Sequence, residues 1–322
     1  MGGNASRKVM PMENETVLVV GATGRFGSLV VPALKSRQLR VRVLARHSAK
    51  AQAALAAGAD EAVLGDLRDP ASLLAAARGA TGVYYLGPAL VPDQKTLGLN
   101  MVGAARAADV RRFVFSSAIR PLDDPQAKRD VENALYESGL QYTVLRPAHF
   151  MQNLLDIWPA VQRSGLLAEP YDSSARLARV DYRDVAEVAA IALSGDRLAH
   201  ASLELCAEGM HNRHDVAAMM SQFLGRNVRA GVQDVGSWAE QARLRYDPQQ
   251  QAQMRRVFDY FDRQGLQGNA ITLRAVLGRE PRSLRDFLAE MAGVARPVRA
   301  RARPAPSRTP PRTSQLSWMD LS

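Results

Sequence analysis

Three glycines spaced three residues apart form the most informative motif of the chain. Gly21, Gly24 and Gly27 directly follow an apolar, β-rich run and open a helical pattern. In this arrangement the first glycine permits a tight turn, the second lets backbone approach a ligand, and the third lets the helix pack on the strand. Free amides at the helix start favour bound phosphate, so the motif predicts a dinucleotide site, with a simple packing turn as the alternative. The other loop residues predicted to contact the dinucleotide are Thr23, Arg25 and Phe26.

Positive charge follows the second β-rich run. An NAD site places Asp or Glu about 20 residues beyond the glycine loop, to bind the ribose hydroxyl. Here Arg46 comes just after the run, and Lys50 lies at the start of the next helical pattern. Guanidinium binds phosphate through two hydrogen bonds. Arg46, Lys50 and Arg25 therefore predict a site for a 2′-phosphate, and so NADP(H); the alternative is that these side chains are merely solvated.

Short β-rich runs alternate with Ala-rich helical segments through the first 150 residues. The β-rich runs are 16–20, 41–44, 62–64, 82–86, 113–116 and 142–145, and the helical segments are 26–37, 49–57, 70–78, 97–108 and 128–137. Such alternation is typical of βαβ units. It predicts an α/β fold with a doubly wound, parallel (Rossmann) sheet, which binds ligands at the carboxyl edge of its strands.

After residue 150 the alternation loosens and helical patterns dominate. Helices are predicted at 151–162, 181–193, 212–224, 238–263 and 283–291, and one further strand at 203–206. The sequence thus predicts four segments: a flexible N-terminus (1–15), an NADP(H)-binding Rossmann domain (16–150), a smaller, mostly helical substrate or partner lobe closing over the sheet edge (151–293), and a tail (294–322).

Charge is concentrated at the C-terminal end of the sequence. The 322 residues carry 42 Lys and Arg against 32 Asp and Glu, a net charge of +10. Residues 295–322 hold six arginines, one aspartate and five prolines, a net of +5. This composition predicts a disordered, solvated tail rather than a base-stacking arm. Nucleic-acid binding is not expected.

Cysteine and histidine usage gives further expectations. The single cysteine, Cys206, excludes an internal disulfide and fits a reducing compartment. No apolar run is long enough to span a membrane and no signal peptide is evident, so we expect a cytoplasmic protein without membrane contact. His211 and His214 lie three residues apart without a third suitably spaced ligand, and no metal is expected.

Several motifs together resemble the NmrA-like family of atypical short-chain dehydrogenases/reductases. The resemblance covers about residues 16–291. Besides the glycine loop, it rests on the segments 41–46, 64–67, 142–153, 180–186 and 278–283. It implies that Asp66 and Leu67 lie beside the adenine; Gly87, after the fourth β-rich run, is assigned to the same cofactor site. The family includes both reductases and NADP(H)-responsive regulators.

Catalysis by the ordinary short-chain dehydrogenase route is excluded. That route uses Tyr-x-x-x-Lys, whose lysine lowers the pKa of the tyrosine, and none of the eight tyrosines has a lysine four residues later. Lys128, at the start of the helical segment after the fifth strand, resembles a lysine implicated in catalysis in the isoflavone-reductase branch. We predict Lys128 as a catalytic and cofactor-contacting residue, a solvated lysine being the alternative.

Three residues after the sixth β-rich run are candidates for the substrate pocket. They are His149, Phe150 and Asn153, although a structural histidine is equally compatible with the pattern. Two functions follow. The first is an NADPH-dependent reductase that transfers hydride to a small electrophile such as a quinone, enone or azo compound. The alternative is a non-catalytic NADP(H)-sensing regulator that acts through a protein partner. The oligomeric state stays open.

Overall fold

The computed structural model describes residues 15–294. The strands are β1 (Thr16–Val20), β2 (Arg40–Ala45), β3 (Glu61–Leu64), β4 (Gly82–Tyr85), β5 (Arg112–Ser116), β6 (Gln141–Pro147), β7 (His149–Phe150), β8 (Leu166–Glu169), β9 (Leu177–Val180), β10 (Ala201–Leu205), β11 (Met210–His211) and β12 (Arg229–Val232). Apart from residues 15 and 294, the predicted flexible N-terminus and disordered tail lie outside the described residues.

Helices connect and cover these strands. They are α1 (Val30–Lys35), α2 (Ser48–Ala56), α3 (Pro70–Ala77), α4 (Gln94–Ala107), α5 (Pro125–Tyr136), α6 (Leu154–Ser164), α7 (Tyr182–Leu193), α8 (Arg213–Leu224), α9 (Val235–Gln241), α10 (Pro248–Gln264), α11 (Ile271–Leu277) and α12 (Leu284–Met291). Two 3₁₀ turns precede α1 and α6, at Gly27–Leu29 and Met151–Asn153. None of the helices described is both long and apolar enough to cross a membrane.

Seven parallel strands form the central sheet, in the order β10-β6-β5-β4-β1-β2-β3. The chain runs outward from β1 to β3, returns to β4 beside β1, and then continues outward in the other direction. This reversal opens a crevice between the carboxyl ends of β1 and β4, where doubly wound sheets bind ligands. The predicted fold class is confirmed.

Alternate residues of each central strand pack on opposite faces of the sheet. Val17 and Val19 of β1 lie in one buried cluster with α1 and α7, whereas Leu18 and Val20 lie in another with α3, α4 and α5. Each fully buried aliphatic side chain contributes about 1.5–3 kcal/mol of transfer free energy. Helices on both faces thus hold the sheet edge, and the loops that follow its strands, in fixed positions.

The sheet extends beyond the predicted domain boundary at residue 150. Strand β10 pairs in parallel with β6, and α7 packs against α1 on one face of the sheet. The remaining C-terminal elements are not only helical. Strands β11, β9 and β7 form a three-stranded sheet, and β12 pairs with β8. A third apolar cluster, centred on α6, α8 and α12, packs behind these strands.

The helix predicted at 26–37 is shorter than expected. The α-helical segment is Val30–Lys35, preceded by the 3₁₀ turn Gly27–Leu29. Pro32 has no N–H and cannot donate to the carbonyl of Ser28, so a regular α-helical ladder cannot start at the loop. The amides of Leu29 and Val30 instead bond to carbonyls three residues earlier.

The single helical stretch predicted at 238–263 is wrong. Two helices, α9 and α10, are separated by residues 242–247. Asp247 caps α10 by accepting from the amide of Gln250, whose side chain in turn accepts from the Asp247 amide, and Pro248 occupies the first helical position. This combination starts a new helix. The helices predicted at 181–193, 212–224 and 283–291 do form, and the first residue of each predicted range, Asp181, Asn212 and Ser283, is the N-cap.

Candidate functional site

Three adjoining cavities lie along the carboxyl edge of the central sheet. The first, of about 420 Å³, is lined by the glycine loop and the ends of β2, β3 and β4. The second, of about 190 Å³, shares Leu86, Gly87 and Pro88 with the first. The third, of about 180 Å³, shares Ala118, Asp123 and Phe150 with the second. Together they form a continuous path from the loop to the C-terminal elements.

A wider groove of about 690 Å³ lies elsewhere, between α1 and α7. It contains none of the predicted site residues. Two of the three arginines that line it, Arg183 and Arg282, are already paired with Asp181 and Asp184, respectively. We therefore place the candidate site in the three cavities rather than in this groove.

The glycine loop is sterically locked at two positions. Gly21 has φ +89°, and a Cβ there would lie 2.6 Å from the carbonyl oxygen of Leu86. A Cβ on Gly27 would lie 2.3 Å from the carbonyl oxygen of Gly21. Only glycine fits at either position, because both obstacles are main-chain atoms. The loop residues Gly21, Thr23 and Gly24 line the first cavity.

Two of the three predicted phosphate-binding cations line the first cavity. Arg46 directly follows β2 and Lys50 lies in the first turn of α2; both are exposed. Neither forms an ion pair within the described part of the chain, whereas Lys35 is paired with Asp60 and Lys128 with Asp123. The cavity therefore offers two uncompensated positive charges at the end of β2.

Arg25, the third predicted cation, is directed elsewhere. Its guanidinium pairs with Asp156 of α6 and lies 4.7 Å from the ring centroid of Phe26. It does not line the first cavity. The structure thus brings Arg46 and Lys50 together and leaves Arg25 outside their group, as part of a link between the glycine loop and α6.

The turn after β3 forms another wall of the first cavity. Asp66 and Leu67 line it, as does Gly87 after β4. The Asp66 carboxylate accepts from the amide of Arg68, and the side-chain amide of Asn100 donates to the Leu67 carbonyl. These bonds fix the turn without using the face of Leu67 that lines the cavity.

Lys128 lines the second cavity but is not free. Its ammonium lies 2.7 and 2.9 Å from the two carboxylate oxygens of Asp123, and 3.4 Å from the side-chain oxygen of Gln94. Burial alone would raise the pKa of Asp123, but the charge and hydrogen bond of Lys128 outweigh burial and lower it. Asp123 is therefore ionised at neutral pH and holds the Lys128 ammonium in one place.

Buried hydroxyl groups lie beneath the second cavity. Ser116, which lines it, is 3.2 Å from the Tyr182 hydroxyl, which in turn is 2.6 Å from the Tyr84 hydroxyl. Burial raises the pKa of Tyr84 to about 12, and burial also raises the pKa of Tyr182 well above its ordinary value. Both tyrosines therefore stay protonated at neutral pH. They orient Ser116 rather than release a proton.

Aromatic rings separate the glycine loop from the third cavity. Phe26, Phe150 and Tyr182 form a cluster in which Phe150 lies 4.7 Å from each of the other two ring centroids. Phe150 also lines both the second and the third cavities. The structure thus assigns Phe26 to this aromatic wall and not to the lining of the first cavity.

All three predicted substrate-pocket residues line the third cavity. His149 Nε2 lies 3.4 Å from the side-chain amide nitrogen of Asn153, and the His149 ring packs edge-on against Phe261. Burial lowers the pKa of His149 to about 4, and the positive charge of Arg179 adds to this effect. The imidazole is therefore neutral at physiological pH.

Several residues at the site were not predicted from the sequence. Asp123, Gln94 and Tyr182 contact the predicted residues only after folding, because they come from three different parts of the chain. Asp123 had a local signal, since it stands five residues before Lys128 at the start of α5. Within the described residues no group of three or more His, Cys, Asp or Glu side chains could hold a metal ion.

The fold and the site define a Rossmann-type, dinucleotide-binding α/β protein. The sequence model of the NmrA-like family matches residues 13–288, and the chain belongs to this family. The resemblance read from the motifs is confirmed.

Two curated relatives and one solved structure are similar to the chain. The NAD(P)H azoreductase of Xenophilus azovorans is 34% identical over 218 residues, covering 66% of this chain and 75% of that protein. The (4-alkanoyl-5-oxo-2,5-dihydrofuran-3-yl)methyl phosphate reductase of Streptomyces griseus is 30% identical over 291 residues, 86% and 98% of the respective chains. The NADPH-dependent quinone oxidoreductase of Escherichia coli, solved with NADPH, superposes with a TM-score of 0.73 at 23% identity over 85% of this chain and 99% of that one, a likeness of fold.

Proposed function

We propose that the protein is an NADPH-dependent reductase acting on a small electrophile such as a quinone or an azo compound. The observation that carries this proposal is the row of three joined cavities, with unpaired cations at one end and an apolar, histidine-containing pocket at the other. The named relatives, an azoreductase and the reductase of an alkanoyl-oxo-dihydrofuranylmethyl phosphate, support the same class of reaction.

The residues of the first cavity fit NADP(H). The glycine loop leaves room for the pyrophosphate, and Asp66 and Leu67 form a wall for the adenine. Arg46 and Lys50 would bind the 2′-phosphate, since no carboxylate at the end of β2 competes for them. When bound, the cofactor supplies the hydride, and the protein supplies orientation and electrostatics.

The second and third cavities suit the reacting end of the cofactor and the substrate. Lys128, held by Asp123, would hydrogen-bond the nicotinamide ribose from the second cavity, and Ser116 and Ser117 provide further polar contacts. In the third cavity His149 and Asn153 present polar groups among Ile119, Val257, Phe261 and Leu266. A planar apolar molecule with one polar acceptor atom matches this lining.

One observation favours a second candidate, an NADP(H)-sensing regulator that acts on a protein partner. The chain has no Tyr-x-x-x-Lys pair, and the ammonium of Lys128 is already paired with the carboxylate of Asp123. Such a protein would bind the cofactor and respond to its redox state without turnover.

Cofactor oxidation against a panel of electrophiles separates the two candidates. Purified protein with NADPH is mixed with quinones, enones and azo compounds, and the loss of NADPH absorbance is followed. The reductase predicts turnover with at least one of these classes, faster with NADPH than with NADH. Tight NADPH binding without turnover for every class would favour the regulator.

A further inference from the structure

A buried cluster with excess positive charge lies behind the third cavity. Arg179 of β9 is 2% exposed and Arg213 of α8 is 1% exposed, while Glu169 of β8 is the nearby buried carboxylate. Arg213 forms an ion pair with this carboxylate, with 3.4 Å between Arg213 Nε and Glu169 Oε2, and also donates to the carbonyls of Tyr171 and Gly231. The cluster therefore contains two cations and one anion.

Arg179 is the cation without a carboxylate. It donates to the carbonyl of His211, at 2.9 Å, and more weakly to that of Leu177, while its Nε has no hydrogen-bond partner. Arg179 forms no ion pair with any residue in the range 15–294 that the structure describes. Burying a guanidinium in this way costs stability, so packing alone gives no reason for a charge at this position.

Strand pairing places Arg179 beside His149. Strands β7 and β9 run in parallel with His149 opposite Arg179, and directly paired residues project from the same face. His149 itself lines the third cavity, and Arg179 does not. The positive charge of Arg179 disfavours a second positive charge on the neighbouring ring, and so adds to burial in lowering the pKa of His149.

The contact with Asn153 favours one tautomer of the neutral His149 ring. The side-chain amide nitrogen of Asn153 can only donate, so in the neutral ring Nε2 accepts and Nδ1 bears the hydrogen. Phe261 packs against the ring edge-on. The neutral form therefore has one N–H that is not engaged by Asn153.

Other charged groups near His149 do not reverse the preference for the neutral ring. Glu169 favours the protonated ring, but Arg213 and the Tyr171 hydroxyl both contact its carboxylate. Asp123 lines the same cavity but is paired with Lys128, and Arg120 adds a further positive charge at the cavity. From α10, Val257 and Phe261 contribute no charge.

We propose that His149 donates a hydrogen bond, as a neutral imidazole, to the acceptor heteroatom of the substrate, and that Arg179, its partner on β9, is a positioning residue whose charge adds to burial in disfavouring a protonated ring. The substrate half of this inference rests on the proposed reductase function. Hydride transfer brings two electrons to the substrate, and negative charge develops on a quinone oxygen or azo nitrogen. The His149 N–H stabilises that charge without losing its own proton, and water supplies the proton that completes the reduction.

A neutral ring matters because protonation would place an N–H against the donor amide of Asn153. The ring would then lose the contact that orients it. Burial and Arg179 together thus make substrate binding independent of pH across the range in which an ordinary histidine titrates, and Arg179 extends that range to lower pH.

Histidine titration by NMR tests the role of Arg179 without any turnover. The imidazole signals of the cofactor-free protein are followed against pH, and His149 is assigned from its absence in His149→Gln. In the wild type we expect a midpoint near 4. In Arg179→Gln the midpoint should rise by about one unit, while Arg179→Lys, which keeps the charge, should stay near the wild type. An ordinary wild-type midpoint near 6.5, or the same midpoint in Arg179→Gln as in the wild type, would overturn the assignment.

Kinetics test the substrate half. His149→Gln should lower kcat/KM for the best electrophile about tenfold without changing NADPH affinity. In Arg179→Gln, kcat/KM should acquire an acidic fall at the new His149 midpoint, and Arg179→Lys should restore the flat profile. If folded His149→Gln retains full kcat/KM, His149 does not contact the substrate. If no electrophile is reduced by the wild type, the proposed function fails while the titration still decides the role of Arg179.

Discussion

Two side chains at the end of β2 are the proposed basis for selecting between cofactors that differ by a single phosphate. Arg46 and Lys50 line the first cavity and have no ion-pair partner in the described residues, whereas Arg25 is held by Asp156. A cationic side chain without an ion-pair partner can bind a phosphate without first breaking another contact. We therefore expect selectivity for NADPH to depend on Arg46 and Lys50 and not on Arg25.

Arg46→Ala should weaken NADPH binding about 10- to 100-fold, because one charge-assisted contact is worth about 1.5–3 kcal/mol. NADH affinity should change little, since NADH has no 2′-phosphate. Arg25→Ala is the control, because it removes an arginine that does not line the cavity. Because it also frees the glycine loop from Asp156, any loss of affinity it causes should be the same for NADPH and NADH. Calorimetric dissociation constants for both cofactors measure the ratio. Equal losses for NADPH and NADH in Arg46→Ala would contradict this assignment.

Lys128→Met should leave Asp123 buried without its cation. In the wild type the pKa of Asp123 is lowered, so its contribution to stability is present above its ordinary pKa of 3.8 and is lost as pH falls through the lowered value. The variant should be less stable at pH 7 by about 1–3 kcal/mol, with a smaller difference near pH 3. Denaturant unfolding at several pH values measures this.

The same variant tests catalysis. Asp123→Asn is the matched control, because it breaks the ion pair but keeps Lys128. If Lys128 contacts the bound cofactor, Lys128→Met should lower kcat more than Asp123→Asn does. A Lys128→Met variant with unchanged turnover and unchanged NADPH affinity would leave Lys128 with a structural role alone.

At the scale of elements, the glycine loop shows how tightly backbone geometry limits the sequence. A Cβ on Gly27 would collide with the Gly21 carbonyl at 2.3 Å, whereas a Cβ on Gly103 in α4 meets nothing within 4 Å. Gly27→Ala should reduce NADPH affinity at least about tenfold, because relieving the collision must shift the loop at a cost of about 1–3 kcal/mol. Gly103→Ala should stabilise α4 by roughly 0.5–1 kcal/mol and leave binding unchanged. Thermal unfolding and NADPH titration of both variants check this, and normal binding in Gly27→Ala would contradict the loop assignment.

The elements that the sequence predicts well are those with strong local signals. The β-rich runs and capping residues such as Asp181 and Asn212 lie where expected. The start of α1 and the break between α9 and α10 were missed because the residues around them form an otherwise continuous helical pattern. In the first case the missing N–H of Pro32 interrupts the hydrogen-bond ladder, and in the second Asp247 and Pro248 start a new helix.

Long-range pairings explain the part of the site that sequence could not predict. Arg25 pairs with Asp156, a residue 131 positions away, and Tyr84 meets Tyr182 across 98 positions. Neither partner carries a local signal. Of the three predicted phosphate-binding cations, Arg25 is therefore separated from the other two by its pairing with Asp156. The charge of Arg179, which adds to burial in lowering the pKa of His149, is likewise indicated by no nearby motif.

At the scale of the whole molecule, side-chain contacts join the C-terminal elements to the loops at the sheet edge. Asp156 of α6 holds the glycine loop, and Gln250 of α10 donates to the Leu90 carbonyl in the loop after β4. Both contacts flank the row of cavities. They connect the elements that would bind the cofactor with those that would bind the substrate.

The central claim is that hydride passes along this row from bound NADPH to a small electrophile. A single-turnover experiment tests it most directly: the protein is loaded with one equivalent of NADPH, mixed with a quinone or azo acceptor, and the reduced cofactor is followed with hydrogen or deuterium at the transferred position. The account predicts rapid loss of the bound NADPH that slows on deuteration. Bound NADPH that stays reduced with every acceptor would contradict it. So would an oxidation of NADPH that is limited by the chemical step and yet proceeds at the same rate with deuterium as with hydrogen.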